Sequence, residues 1–182
     1  MIDFEVALTG GHPNSLGRTL EVVDVVQSDL THIERLYDCF KSTDPVVRLR
    51  TSNAFKRLVR ANPMLFENYA HKLVREVGAI PQDSTSWTVA QIIGENLKQW
   101  RELSQDIQDE SIQFLFGLFT RSNDWIVLNA ALKTLANIAV YDGTVDARFR
   151  PIAEEYLNDP RKSVSNTARK AIVAIDSGGP IK

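Results

Sequence analysis

A spaced pattern of apolar and small residues recurs in this chain and constrains its fold more than any other feature. Three copies start at Val47, Val127 and Val164. Within each copy the spacing follows the 3.6-residue period of one helix face. Residues 47 and 127 lie 80 apart and residues 127 and 164 lie 37 apart, so a period near 40 predicts a degenerate copy between the first two. Such a period is typical of stacked helix pairs, each of which buries its apolar face against its neighbours.

Composition limits the classes of function that this chain can serve. With 182 residues the chain is long enough for about four such pairs, and its net charge of −2 argues against nucleic-acid binding through bulk charge. One cysteine, Cys39, excludes an internal disulfide, and the three histidines show no ligand spacing, so we expect no metal and no cofactor. We find no apolar run long enough to span a membrane and no secretory leader, so we expect no membrane partner and a cytoplasmic location.

Residues that start and stop helices divide the chain into pairs. Asp44, Asp124 and Asp159 precede the three copies, and an aspartate there accepts hydrogen bonds from the first turn of a helix. We therefore predict an all-α fold in one domain over residues 1–176. First helices are expected near 30–41, 63–78, 104–121 and 147–158, and second helices near 45–61, 84–99, 125–140 and 160–176. The expected parts are an N-terminal cap over 1–29, repeats near 30–61, 63–99, 104–140 and 147–176, and a disordered tail over 177–182.

The segment Asp44-Pro45-Val46-Val47-Arg48, followed by small residues, resembles the second helix of a HEAT repeat. The resemblance covers roughly residues 30–176, and the chain is also similar to small bacterial HEAT-repeat proteins without an assigned activity. It implies an α-solenoid of about four HEAT-like helix pairs whose second helices line a concave surface. Only the first copy carries the arginine of the family pattern, so we do not expect the regular Asp–Arg ladder between repeats.

The same register predicts which side chains point away from the core. At 100° per residue, these are the positions two, six, nine and thirteen residues after each start. We start the degenerate copy at Thr85, because a start at Ser86 would leave Ile92 in water. We select nine of the sixteen residues at these positions and call them the outward strip: Asn53, Lys56, Arg60, Trp87, Gln91, Asn129, Lys133, Asn166 and Lys170. Trp87 would be an aromatic binding anchor in this strip, or would instead pack sideways on the neighbouring repeat.

No catalytic constellation accompanies the outward strip. The carboxylates of Asp109-Glu110 and of Glu154-Glu155 are adjacent on helices and point in different directions. We therefore expect a non-catalytic interaction scaffold that binds a protein or peptide partner, or a second copy of the chain, on the concave face. The alternative is a nucleic-acid-binding protein resembling the HEAT-like DNA glycosylases, with Trp87, Trp125 and Asp124 in the aromatic and carboxylate roles. A third candidate, by fold analogy alone, is a holder of a pigment or other small molecule.

Two further signals bear on these alternatives. The segment Gly10-Gly11-His12-Pro13-Asn14-Ser15 can present backbone N–H groups to an anion, although Asn14 or Ser15 also fits as the N-cap of the following helix. The second helix of the first repeat has a basic excess, which is the best sequence support for a nucleic-acid partner. Its basic residues are Arg48, Arg50, Lys56, Arg57 and Arg60.

Overall fold

The computed structural model describes residues 2–12 and 15–181, and this part of the chain is all-α and contains no strand. The predicted cap at Asn14 lies outside it. The helices are α1 (Phe4–Leu8), α2 (Thr19–Ser28), α3 (Ile33–Asp38), α4 (Pro45–Ala61), α5 (Met64–Lys72), α6 (Asp83–Glu95), α7 (Leu97–Trp100), α8 (Gln105–Arg121), α9 (Trp125–Ala139), α10 (Gly143–Glu155) and α11 (Lys162–Ser177). Short 3₁₀ segments at Leu30–His32, Cys39–Lys41 and Tyr156–Asn158 flank α3 and extend α10, and a π-helical segment at Leu73–Val77 extends α5.

Aspartate side chains start several of these helices, as the sequence predicts. The Asp44 carboxylate accepts a hydrogen bond of 2.8 Å from the Val46 N–H, and Asp124 caps α9 in the same way. Two predicted helix starts are wrong. Asp159 does not cap α11, which begins at Lys162; its carboxylate accepts hydrogen bonds from the N–H and the guanidinium of Arg161 instead. The helix expected from residue 147 begins at Gly143, because Asp142 accepts hydrogen bonds from the first turn.

The helices α4, α6, α9 and α11 pack side by side in chain order, and the helices that precede them in each pair lie behind this layer. One continuous apolar core extends through all of them, and α1 and α2 cover α4 at one end. The predicted register is confirmed, since the three starting valines have no exposed surface and Thr85 is likewise fully buried. Ile92, which decided that register, is 1% exposed.

Four side-chain links between successive helix pairs share one sequence offset, whereas others span between 34 and 44 residues. Hydrogen bonds join Tyr69 to Glu34, Lys56 to Gln91, Arg60 to Glu95 and Arg75 to Glu110, and each of these pairs is 35 residues apart. In the predicted register Lys56 lies nine residues after Val47, whereas Gln91 lies six residues after Thr85, so the linked positions of these two helices are offset by three residues.

A close contact between two layer helices lies where Gly94 of α6 meets Thr134 of α9. The Thr134 Oγ1 donates a hydrogen bond of 2.9 Å to the carbonyl oxygen of Ala90. A Cβ atom at Gly94 would lie 2.4 Å from that Oγ1, which is too close for any side chain. Small residues at this contact let the two helices approach each other.

Arg50 is the largest side chain that is almost completely buried, with 1% exposure. Its guanidinium donates hydrogen bonds to the carbonyl oxygens of Leu8, Thr9, Gly10, His12 and Ser15 and to the Ser15 hydroxyl. Gly17, at φ +52°, packs so closely that a Cβ there would lie 2.8 Å from the Arg50 Cζ. The glycine-rich segment thus turns carbonyl oxygens toward a cation. For residues 10–12 and 15, the structure therefore contradicts the anion site that the sequence suggested.

The chain after α11 folds back onto the molecule. Gly178 adopts a left-handed conformation at φ +67°, and the N–H groups of Gly178 and Gly179 donate to the carbonyl oxygens of Ile175 and Ala174. This hydrogen-bond pattern ends a helix and reverses the chain. Ile181 then packs against the core. The disordered tail expected over 177–182 is therefore corrected for residues 177–181.

Candidate binding groove

A groove with a volume of about 670 Å³ crosses the layer formed by α4, α6, α9 and α11. This groove is lined by Lys56, Arg60, Gln91, Gly94, Glu95, Trp125, Ile126, Asn129, Ala130, Lys133, Thr134, Asn137, Thr167, Lys170 and Ile181. Six residues of the outward strip lie in it: Lys56, Arg60, Gln91, Asn129, Lys133 and Lys170. The helical register therefore brings these six side chains together on one surface.

Three residues of the outward strip do not line the groove. Asn53 donates a hydrogen bond to the carbonyl oxygen of Leu49 in its own helix. Asn166 is exposed and accepts a hydrogen bond from Arg169. Trp87 is half-buried and packs against the core, which agrees with the second of its two predicted roles, sideways packing, and not with an exposed anchor.

The α4–α6 end of the groove is closed by pairs of its own polar side chains. Lys56 Nζ donates to Gln91 Oε1 over 2.7 Å, and burial, followed by the charge of Arg60, lowers the Lys56 pKa. Arg60 donates two hydrogen bonds to the Glu95 carboxylate, at 2.7 and 2.5 Å, and these raise the pKa of Arg60. Because these four groups satisfy one another, this end offers few unpaired groups to a ligand.

The α9 side of the groove is open and carries one ridge of residues at four-residue steps. Trp125, Asn129, Lys133 and Asn137 lie along this ridge, since residues four apart are neighbours on a helix surface. At 1.5 Å rise per residue the ridge is about 18 Å long. Trp125 is 50% exposed, and Lys133 is exposed and forms no ion pair within residues 2–12 and 15–181. The Oδ1 atom of Asn129 is buried, and the described residues provide it with no hydrogen-bond donor.

Asn137, at the end of this ridge, holds the folded-back tail. Its Oδ1 accepts a hydrogen bond of 2.7 Å from the Ile181 N–H, and its Nδ2 makes a longer contact of 3.5 Å with the Ile181 carbonyl oxygen. A side-chain amide has the same donor and acceptor as a peptide group, so it can pair with a peptide backbone whatever the side chain. The groove therefore already contains one bound stretch of backbone, from its own chain.

Asn137, Trp125 and Ile181 belong to the groove but are missing from the outward strip. Continuing the four-residue step from Asn129 and Lys133 in both directions would have found the first two. No local signal marks Ile181, because its position depends on a chain reversal and on a side chain 44 residues away. Periodicity thus finds residues on a helix but not a segment that folds onto it.

The groups that would support a nucleic-acid role are mostly engaged elsewhere. Asp124 accepts two backbone N–H bonds as a helix cap. In the basic excess of α4, Arg50 is buried and Arg48 donates to Gln82 and to the carbonyl oxygen of Ser42. Lys56 and Arg60 are paired as described above. Only Arg57 of those five residues is exposed and unpaired among the described residues.

The described residues hold few other reactive or metal-binding groups. In residues 2–12 and 15–181, no cluster of three or more His, Cys, Asp or Glu side chains is placed to bind a metal ion. Cys39 is buried, and burial is the main cause that raises its thiol pKa to about 11. None of the helices described combines the length and the apolar character needed to cross a bilayer. Comparison of the chain with protein families, with curated proteins and with solved structures found no match.

Proposed function

We propose that this chain is a short HEAT-like α-solenoid that serves as an interaction scaffold, and that its groove binds an extended segment of a protein partner. Four side-chain links between successive helix pairs share an offset of 35 residues, which supports the solenoid assignment. The side-by-side order of α4, α6, α9 and α11 also supports it. Such stacking produces a long surface with repeated side-chain positions, which suits an extended ligand.

One observation carries the proposed binding function. The Asn137 amide holds the backbone of Ile181 through an acceptor and a donor at once. The Asn137 amide recognises backbone groups only, so this contact does not depend on which side chain the bound residue carries. A partner segment in extended conformation presents the same N–H and C=O groups, so it can replace the tail at this position.

The remaining features of the groove also suit a peptide. Its volume of about 670 Å³ lies in the range of ligand sites, which is about 300–1,000 Å³. Trp125 is exposed at its edge, and tryptophan is enriched among residues that dominate binding energy. Lys133 and Lys170 are exposed, which gives the surface polar contacts around an aromatic anchor.

The test uses the full chain with Ile181→Pro, which removes the N–H that Asn137 Oδ1 accepts and so releases the tail. A synthetic peptide with the sequence of residues 178–182, blocked at both ends, is added to the isotope-labelled variant. We expect NMR shift changes confined to groove residues, including the Asn137 side-chain amide. The matched control, Ile181→Pro with Asn137→Leu, should lose them. An absence of groove shifts at millimolar peptide would contradict the proposed function.

A further inference from the structure

The Asn129 amide is an unused binding group in the open part of the groove. Its buried Oδ1 lacks a hydrogen-bond donor in the described chain, which is unfavourable unless a ligand supplies one. Asn129 and Asn137 are about 12 Å apart along α9, because they are eight residues apart in one helix. An extended chain rises about 3.3 Å per residue, so about four residues connect the two amides. A segment held at Asn137 that extends about four residues along α9 therefore reaches Asn129, whose amide accepts an N–H from it once the side chain turns its covered Oδ1 into the groove.

The charge of the open part is positive. Lys133 lies between the two asparagines on α9, and Lys170 faces the groove from α11. Both lysines are exposed and neither has a carboxylate partner in residues 2–12 and 15–181. The one acidic residue that lines the groove, Glu95, is already paired with Arg60. A ligand with carboxylates between its two backbone anchor points complements this surface.

The Ile181 side chain occupies an apolar site, here called the Ile181 site, at the same end of the groove. It lines the groove and packs against the core beside the Asn137 contact. A ligand that displaces the tail empties the Ile181 site and can fill it with an aliphatic side chain of its own.

We propose that the partner segment is an extended acidic peptide that replaces the tail in the groove. This inference rests on the proposed function and specifies its ligand. The Asn137 and Asn129 amides bind the peptide backbone at two points. Between these points, Lys133 and Lys170 pair with carboxylates of the peptide. An aliphatic side chain of the peptide occupies the Ile181 site. Among the described residues, 178–181 make hydrogen bonds in the groove only at Asn137, so they occupy the Ile181 site without pairing with the two lysines or with Asn129.

The experiment compares three fluorescent, end-blocked peptides that share Gly-Pro-Ile and continue with three Glu, three Gln or three Lys residues. Anisotropy is measured on the full chain carrying Ile181→Pro and on the unmodified chain. We expect the Glu peptide to bind at least about tenfold more tightly than the Gln peptide, with the difference shrinking as salt rises to about 0.5 M. The unmodified chain should bind each peptide more weakly, because its tail competes.

Two variants separate charge from backbone recognition. In the Ile181→Pro background, Lys133→Glu with Lys170→Glu should reverse the preference, so that the Lys peptide binds more tightly than the Glu peptide. Asn129→Leu should weaken the Glu and Gln peptides by the same factor, because it removes a backbone contact. Thermal unfolding of both variants verifies that they are folded.

The outcomes distinguish this inference from the proposed function. Equal binding of the Glu and Gln peptides would overturn the acidic ligand and leave peptide binding intact. No binding of any peptide would overturn both. Tighter binding of a duplex or single-stranded DNA oligonucleotide in the same assay, with affinity falling linearly in log salt, would replace the acidic peptide with a nucleic acid.

Discussion

The side-chain amide of Asn137 pairs with the backbone of Ile181. Its Oδ1 accepts a hydrogen bond of 2.7 Å from the Ile181 N–H, and its Nδ2 lies 3.5 Å from the Ile181 carbonyl oxygen. The two residues belong to helix α9 and to the segment that follows α11. Their contact turns the end of the described chain into an occupant of the groove. Any ligand that uses Asn137 must first displace this segment, so tail release and ligand binding are coupled.

Asn137→Ala should free the tail without unfolding the protein. The substitution removes one normal and one long hydrogen bond, together worth about 1 kcal/mol, so amide exchange at Ile181 should accelerate about fivefold. Hydrogen exchange followed by NMR measures this rate. Asn53→Ala is the control, because the Asn53 amide bonds only within its own helix. Unchanged exchange at Ile181 in Asn137→Ala would show that the amide does not hold the tail.

Arg50→Lys should destabilise the fold by about 3 kcal/mol, because a lysine amine has too few donors and the wrong shape for five carbonyls and a hydroxyl. Urea unfolding measures the change in free energy. Arg57→Lys, on the same helix but exposed, should change the free energy of unfolding by less than about 0.5 kcal/mol. Similar losses in the two variants would contradict a specific role for the buried guanidinium.

Gly94→Ala should destabilise the contact between α6 and α9 by about 2 kcal/mol, since its Cβ would lie 2.4 Å from the Thr134 Oγ1. Adding Thr134→Ala should recover part of this loss. The matched control is Gly117→Ala in α8, where the new Cβ meets only the Arg121 side chain at 3.5 Å or more. That change should stabilise by up to about 1 kcal/mol through helix propensity. Thermal or urea unfolding of the three variants and the unmodified chain distinguishes these effects.

Ala171→Asp should prevent folding, because Ala171 has no exposed surface in the core of α11 and a carboxylate there would be buried without a partner. Circular dichroism and size-exclusion chromatography detect the loss of structure. Ala147→Asp places the same side chain on an exposed position of α10 and should leave the fold intact. A folded Ala171→Asp protein would mean that the register of α11 is wrong.

Asp44 should contribute a pH-dependent part of the stability. The Val46 N–H is the main cause that lowers the Asp44 pKa, and the Thr9 hydroxyl adds to it. A pKa below the unfolded value stabilises the fold above that unfolded value and loses this effect as the pH falls through the folded pKa. Asp44→Asn retains a cap but does not titrate, so its unfolding free energy should fall less between about pH 5 and pH 3. Parallel pH curves for the two proteins would contradict this contribution.

Local sequence patterns predicted the core and most helix starts because both depend on near neighbours in the chain. Thr85 and Ile92 were placed inward from helical spacing alone, and Asp124 was placed as a cap from the helix start after it. The indole of the groove was not predicted correctly. Trp125 is the first residue of α9 and has no preceding helical turn to cover, whereas Trp87 lies within α6 and reaches the core.

The sequence by itself determined the all-α class, the register of the buried faces and the six outward residues that meet in the groove. These follow from a 3.6-residue period and from caps within a few residues of each helix end. Only the tertiary structure decided that Arg50 is buried among carbonyl oxygens and that Ile181 lies in the groove. Both depend on hydrogen bonds between residues 35 or more apart in the chain, which a local periodicity cannot predict.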